Sequence, residues 1–133
     1  KRLIVKVKMG TIYISKGGAV MAIEMQNLIS EYVRAVRKIY GHHLKQVILY
    51  GSYARGDYTK DSDVDLMLLV DLDEMELEKY SDELSELGFD YNVEYNIWMM
   101  PIVKNRKNFF KWSDAYPFYK NVKTEGISLY EAA

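Results

Sequence analysis

Tyr50-Gly51-Ser52-Tyr53-Ala54-Arg55-Gly56-Asp57, continued by Asp61-Ser62-Asp63-Val64-Asp65-Leu66, is the stretch whose reading decides the fold of this chain. Gln46–Tyr50 is a short apolar strand that runs into Gly51. Val64–Val70 is apolar throughout apart from Asp65, as in a strand covered on both faces. Residues two apart on a strand point to the same side, with Cα atoms about 6.6–6.8 Å apart. Asp63 and Asp65 therefore project together from the start of an apolar strand, where two carboxylates repel and resist desolvation. Either they face water at the sheet end or a cation compensates them, and oxygen ligands at this spacing suit Mg²⁺ shared with substrate phosphates. Gly51-Ser52 after a strand lets backbone N–H groups approach phosphate oxygens, with the hydroxyl as a further donor. Alone, each element reads as a turn or a solvated strand start. Together they form Gly-Ser, ten residues, then Asp-x-Asp, a pattern that chance produces roughly once in several hundred chains of this length.

Outward from this stretch, the apolar positions between Ile23 and Tyr40 have helical spacing, and Gly41 stands where a helix ends. Downstream, Asp71 and Glu74 are spaced as a capping box, opening a helix with Leu77, Tyr80, Leu84 and Leu87 inward that Gly88 closes. Tyr91–Ile102 alternates as a third strand. Phe109 to Tyr119 reads as a helix broken near Pro117, followed by a tail with Ile127, Leu129 and Tyr130. The order predicts an α/β (α+β) domain: a small mixed β-sheet with helices packed mainly on one face. Residues 1–20 read as a hairpin or an upstream extension, and residues 21–133 as the domain proper.

Composition narrows the classes. At 133 residues, with 49% hydrophobic and 28% charged side chains, the chain can bury a core without staples. Eighteen basic and nineteen acidic residues leave a net charge of −1, which excludes gross electrostatic affinity for nucleic acid. The absence of cysteine excludes disulfides, thiolate–zinc sites and thiol nucleophiles. No apolar run is long enough for a membrane span, so a cytoplasmic protein is expected. His42 and His43 adjoin at a helix end and cannot both face one metal from a regular element. The run Lys104, Arg106, Lys107, Lys111 beside Phe109, Phe110 and Trp112 reads as a solvated helix face with its aromatics inward.

The Gly-Ser-x10-Asp-x-Asp signature resembles that of the nucleotidyltransferase superfamily with the polymerase-β-type palm. Gly51-Ser52-Tyr53-Ala54-Arg55-Gly56 and Ser62-Asp63-Val64-Asp65-Leu66 are similar to the minimal nucleotidyltransferases, many of which pair with a HEPN-type partner as antitoxin and toxin. The likeness runs from about Met21 to Tyr130 and includes the Pro117–Asn121 and Glu125–Ile127 stretches.

This resemblance implies transfer of a nucleoside monophosphate from ATP or another NTP to an acceptor hydroxyl, with release of pyrophosphate. It assigns Asp63 and Asp65 to two Mg²⁺ ions and Gly51 and Ser52 to the β- and γ-phosphates, with Arg55 as a further triphosphate contact. The family's third carboxylate comes from the next strand, where Glu94 is the only acid in Tyr91–Ile97, although aspartate is more usual there. About 110 residues of likeness leave no room for an acceptor-binding helical domain. The acceptor is then expected on another subunit or, more economically, on a HEPN-type partner protein. A non-catalytic interaction module and an antibiotic adenylyltransferase are the competing expectations.

Overall fold

β4 (Val64–Val70) is the buried centre of the molecule, with every residue but Asp65 shielded from solvent. In the computed structural model, which describes residues 3–7, 10–14 and 22–133, it lies in a four-stranded sheet of order β5-β4-β3-β6. β3 (Leu44–Tyr50) runs antiparallel to β4 and to β6 (Ile127–Glu131), whereas β5 (Met99–Asn105) is parallel to β4. Near the amino terminus, β1 (Leu3–Val7) and β2 (Gly10–Ile14) form a separate antiparallel pair. The domain start placed near Met21 lies outside the described residues.

Alternation along the strands divides the interior in two. Val47, Leu49, Leu66, Leu68 and Val70 face α1 (Ile23–Tyr40) and α4 (Ser81–Tyr95), meeting Ile29, Tyr32, Val33, Val36 and Tyr91. Ile48, Met67 and Leu69 face the other way, against Phe109 of α5 (Arg106–Trp112) and Val122 of α6 (Pro117–Glu125). The two long helices share one face, and the two short ones cover part of the second. This double cover is why β4 reads as an unbroken apolar run. Gly126 sits where a side chain would collide with Ile48 and the Val122 carbonyl, so α6 approaches the sheet closely.

Several local expectations are corrected. The capping box is Asp73 with Glu76, opening α3 (Glu74–Leu77), rather than Asp71 with Glu74. Asp71 instead accepts from His43 at 2.7 Å and pairs with Lys45 at 3.6 Å. These contacts lower its pKa, chiefly through the His43 hydrogen bond. Gly88 does not end α4. The stripe of Leu84, Leu87 and Tyr91 carries the helix on, anchored by the edge-on contact of Tyr91 with Tyr32 at 5.4 Å. Its left-handed terminator is Asn96, at φ 53°. The third strand therefore begins at Met99, and the tail forms a fourth strand that the apolar spacing alone did not disclose.

Phe109 anchors the smaller of the two cores. Phe109→Ala is expected to lower stability by about 3–5 kcal/mol, measured as a fall in urea midpoint at unchanged slope.

Candidate active site

The antiparallel register sets Tyr50, the last residue of β3, opposite Asp65. The chain then turns at Gly51, with φ 74° and ψ −155°, into the single helical turn α2 (Ser52–Arg55). Gly51 meets two requirements at once. Its φ is one that side chains disfavour, and a Cβ there would run into the Asp65 carboxylate, with the carboxyl carbon only 3.1 Å away. The turn closes with Ala54 and Arg55 donating to the Gly51 carbonyl at 3.1 and 3.0 Å, and Gly56 to Ser52 at 2.8 Å. The N–H groups of Ser52 and Tyr53 open the turn and have no acceptor within it. The structure thus brings Gly51, Ser52 and Asp65 into one corner.

Asp63 joins them from the loop before β4. The loop is fixed by the Thr59 N–H on Ser62 Oγ at 2.8 Å and Ser62 N–H on the Thr59 carbonyl at 3.1 Å. Asp63 is exposed, while Asp65 is half-buried at the open end of the face that carries Met67 and Leu69. Burial pushes the Asp65 carboxyl above the usual range, the Asp63 charge adds to the effect, and Arg55 opposes it. The two acids therefore repel each other, Asp63 from the loop and Asp65 from the strand that follows it. Burial, and then the nearby Asp65, push the Tyr50 hydroxyl up to about 12. Its ring packs edge-on to Phe118 at 5.6 Å. Tyr50 was not singled out by motif reasoning, although its place just before Gly51 at a strand end marks it.

Arg55 lies at this corner but is not free. Its Nε contacts Asp57 at 3.2 Å and its Nη1 contacts Glu125 at 3.5 Å. No sequence signal linked Arg55 to Glu125, because seventy positions separate them. Tyr53 and Tyr58, the rings that follow the Gly-Ser turn, stack on each other at 4.3 Å, with Tyr53 buried.

The strand placement of Glu94 is corrected. Glu94 is on the last turn of α4, exposed, and its charge acts on Tyr95 and Tyr91 rather than on the aspartates. The residue that the parallel register sets beside Asp65 on β5 is Met100. Among the described residues, no group of three or more acidic, histidine or cysteine side chains could hold a metal ion. The donor set is thus two carboxylates with hard oxygens, which suits Mg²⁺ completed by substrate phosphates and water rather than an all-protein cage.

Along the edge of β5, a groove of about 690 Å³ is lined by Leu77, Leu84, Phe89, Trp98, Met99 and Met100 among others, with Glu74 and Glu78 as its charged residues. Trp98 is 57% and Phe89 65% exposed, unusual for side chains of this size.

The Gly51-Ser52 turn and the two aspartates thus meet at one end of the four-stranded mixed sheet. A family model for the nucleotidyltransferase domain matches residues 29–121. The chain belongs to this family and is a nucleotidyltransferase. Two proteins of Methanocaldococcus jannaschii, whose names give them as candidate protein adenylyltransferases, are similar to it. One is 35% identical over 108 residues, covering 79% of this chain and 97% of its own. The other is 37% identical over 107 residues, covering 80% of this chain and all of its own. Among the described residues, no helix is long and apolar enough to cross a membrane.

Two outcomes are expected. Gly51→Ala forces a side chain into the Asp65 carboxylate at a positive φ, and should cost about 1–3 kcal/mol of stability together with nucleotide binding, read by thermal shift with and without ATP. The folded Asp65 carboxyl holds its proton more tightly than in the unfolded chain, so it withdraws stability as pH rises through the interval between the two values. Asp65→Asn should therefore melt above the parent at pH 7, and the gain should vanish once pH falls below the ordinary carboxylate range.

Proposed function

We propose that this chain transfers AMP from ATP, with Mg²⁺, to a hydroxyl on a partner protein. The observation that carries this reading is the contact of Gly51 with the Asp65 carboxylate, which joins the phosphate-seating turn to the acid pair. Asp63 and Asp65 are the residues that would hold the metal, which when bound neutralises triphosphate charge and stabilises the oxygens of an in-line displacement. The Ser52 hydroxyl and the opening N–H groups of the turn receive the β- and γ-phosphates. Arg55, held between Asp57 and Glu125, would reach the triphosphate by exchanging one of these carboxylates for a phosphate oxygen. The acceptor oxygen bonds to the α-phosphorus, the bond to the β-phosphate bridging oxygen breaks, and pyrophosphate and a proton are released.

A protein acceptor is supported by the similar proteins' names and by the apolar groove, which reaches Met100, the register neighbour of Asp65. Its charged lining is acidic, so a partner with an apolar, basic contact surface is favoured; a HEPN-type toxin is the proposed case. One observation favours a second reading, a binding module that neutralises its partner without chemistry: the residue paired with Asp65 on β5 is Met100, not an acid.

With α-labelled ATP, Mg²⁺ and a purified HEPN-type protein, label is expected on that protein, and Asp63→Ala/Asp65→Ala should abolish it. Inhibition of the partner that survives the double substitution, with no label transferred, would establish the binding module instead. Phe89→Glu/Trp98→Glu should depress transfer to the protein while leaving ATP binding intact, as measured by calorimetry.

A further inference from the structure

A second concave site lies at the opposite end of β3. Arg34, Arg37 and Lys38, on the last two turns of α1, surround a hollow of about 480 Å³ with Gly41, His42 and Tyr130 of β6. No carboxylate among the described residues lines it. Among the described residues, no acidic side chain lies within ion-pair distance of Arg34, Arg37 or Lys38, and the ion pairs that do occur involve His43, Lys45 and Arg55. Three basic side chains thus share one hollow in a chain whose net charge is −1. The Arg37 guanidinium lies 4.3 Å over the Tyr130 ring, which fixes its plane at little further entropic cost.

From these observations we propose that this hollow binds an oligophosphate. A single carboxylate would leave most of the charge unmatched, whereas a chain of phosphates offers each guanidinium and the ammonium an oxygen pair or oxygen at bonding distance. The site is distinct from the aspartate corner: α1 leads into the start of β3, Tyr130 pairs with Val47, and Gly51 follows the strand's end about 13 Å further along. The phosphates come either from a free nucleotide tail or from a nucleic-acid backbone, which share this chemistry. Cations in a last helical turn also offset the negative end of the helix, so a purely stabilising role is the alternative to be separated.

The full chain carrying Asp63→Asn/Asp65→Asn, without metal, removes the contribution of the acid pair and serves as the reference. Inorganic tripolyphosphate titrated into it should perturb the amide resonances of residues 34–42 and 130, and Arg37→Glu/Lys38→Glu should weaken binding about tenfold or more. Arg34→Gln/Lys38→Gln, a milder change, should weaken it in the same direction if the charge reversal fails to fold. Absence of binding up to about 10 mM, or binding that neither variant alters, would overturn the proposal and leave the cations a stabilising role only. Parallel titrations with ATP and with a single-stranded RNA oligonucleotide at about 50 and 200 mM salt identify the source: steeper salt dependence and tighter binding of the RNA assign the backbone, and tighter binding of ATP assigns the free nucleotide.

Discussion

The antiparallel pairing of β3 with β4 is the constraint on which the rest depends. It puts Tyr50 opposite Asp65, and the next residue, Gly51, has no side chain and presses its backbone against the Asp65 carboxylate. Shifting this register by one residue would turn Asp65 into the core beneath α1 and α4 and lift Leu66 out of it. The register is protected by the apolar alternation on both faces of β4, so the same packing that stabilises the sheet also aims the acid.

The corner so formed is locally unfavourable. Two carboxylates meet where a loop enters a strand, one of them half-buried with its pKa raised, beside a backbone conformation that only glycine tolerates easily. Such conflicts with local preference concentrate where function requires them. Elsewhere in the molecule, local and tertiary preferences agree: Asp73 and Glu76 cap α3 reciprocally, and Pro117 opens α6 where a missing N–H costs nothing.

A net charge near zero hides a marked separation. The segment from Asp71 through α4 is dominated by acids and borders an apolar groove, while the end of α1 concentrates bases in a hollow of its own. The charge balance that argued against general affinity for nucleic acid is a sum over surfaces of opposite character, and a sum carries no information about where its parts lie.

By itself the sequence determined the parts whose signals are local. The stripe of α1, the doubly covered run Val64–Val70, and the Gly-Ser and Asp-x-Asp motifs with their spacing identified the fold class and singled out Gly51, Ser52, Asp63 and Asp65 as candidates. Local pattern failed where two periods compete: Val93, Tyr95 and Ile97 alternate like a strand, yet the burial of Tyr91 against Tyr32 holds this segment in α4 and carries Glu94 away from the strand. Only the tertiary structure decided that Met100 is the neighbour of Asp65, that Glu125 restrains Arg55, that the tail closes the sheet, and that Tyr130 meets Arg37. Each of these is a meeting of residues far apart in the chain, fixed by sheet register and helix packing, and no window of neighbouring residues contains it.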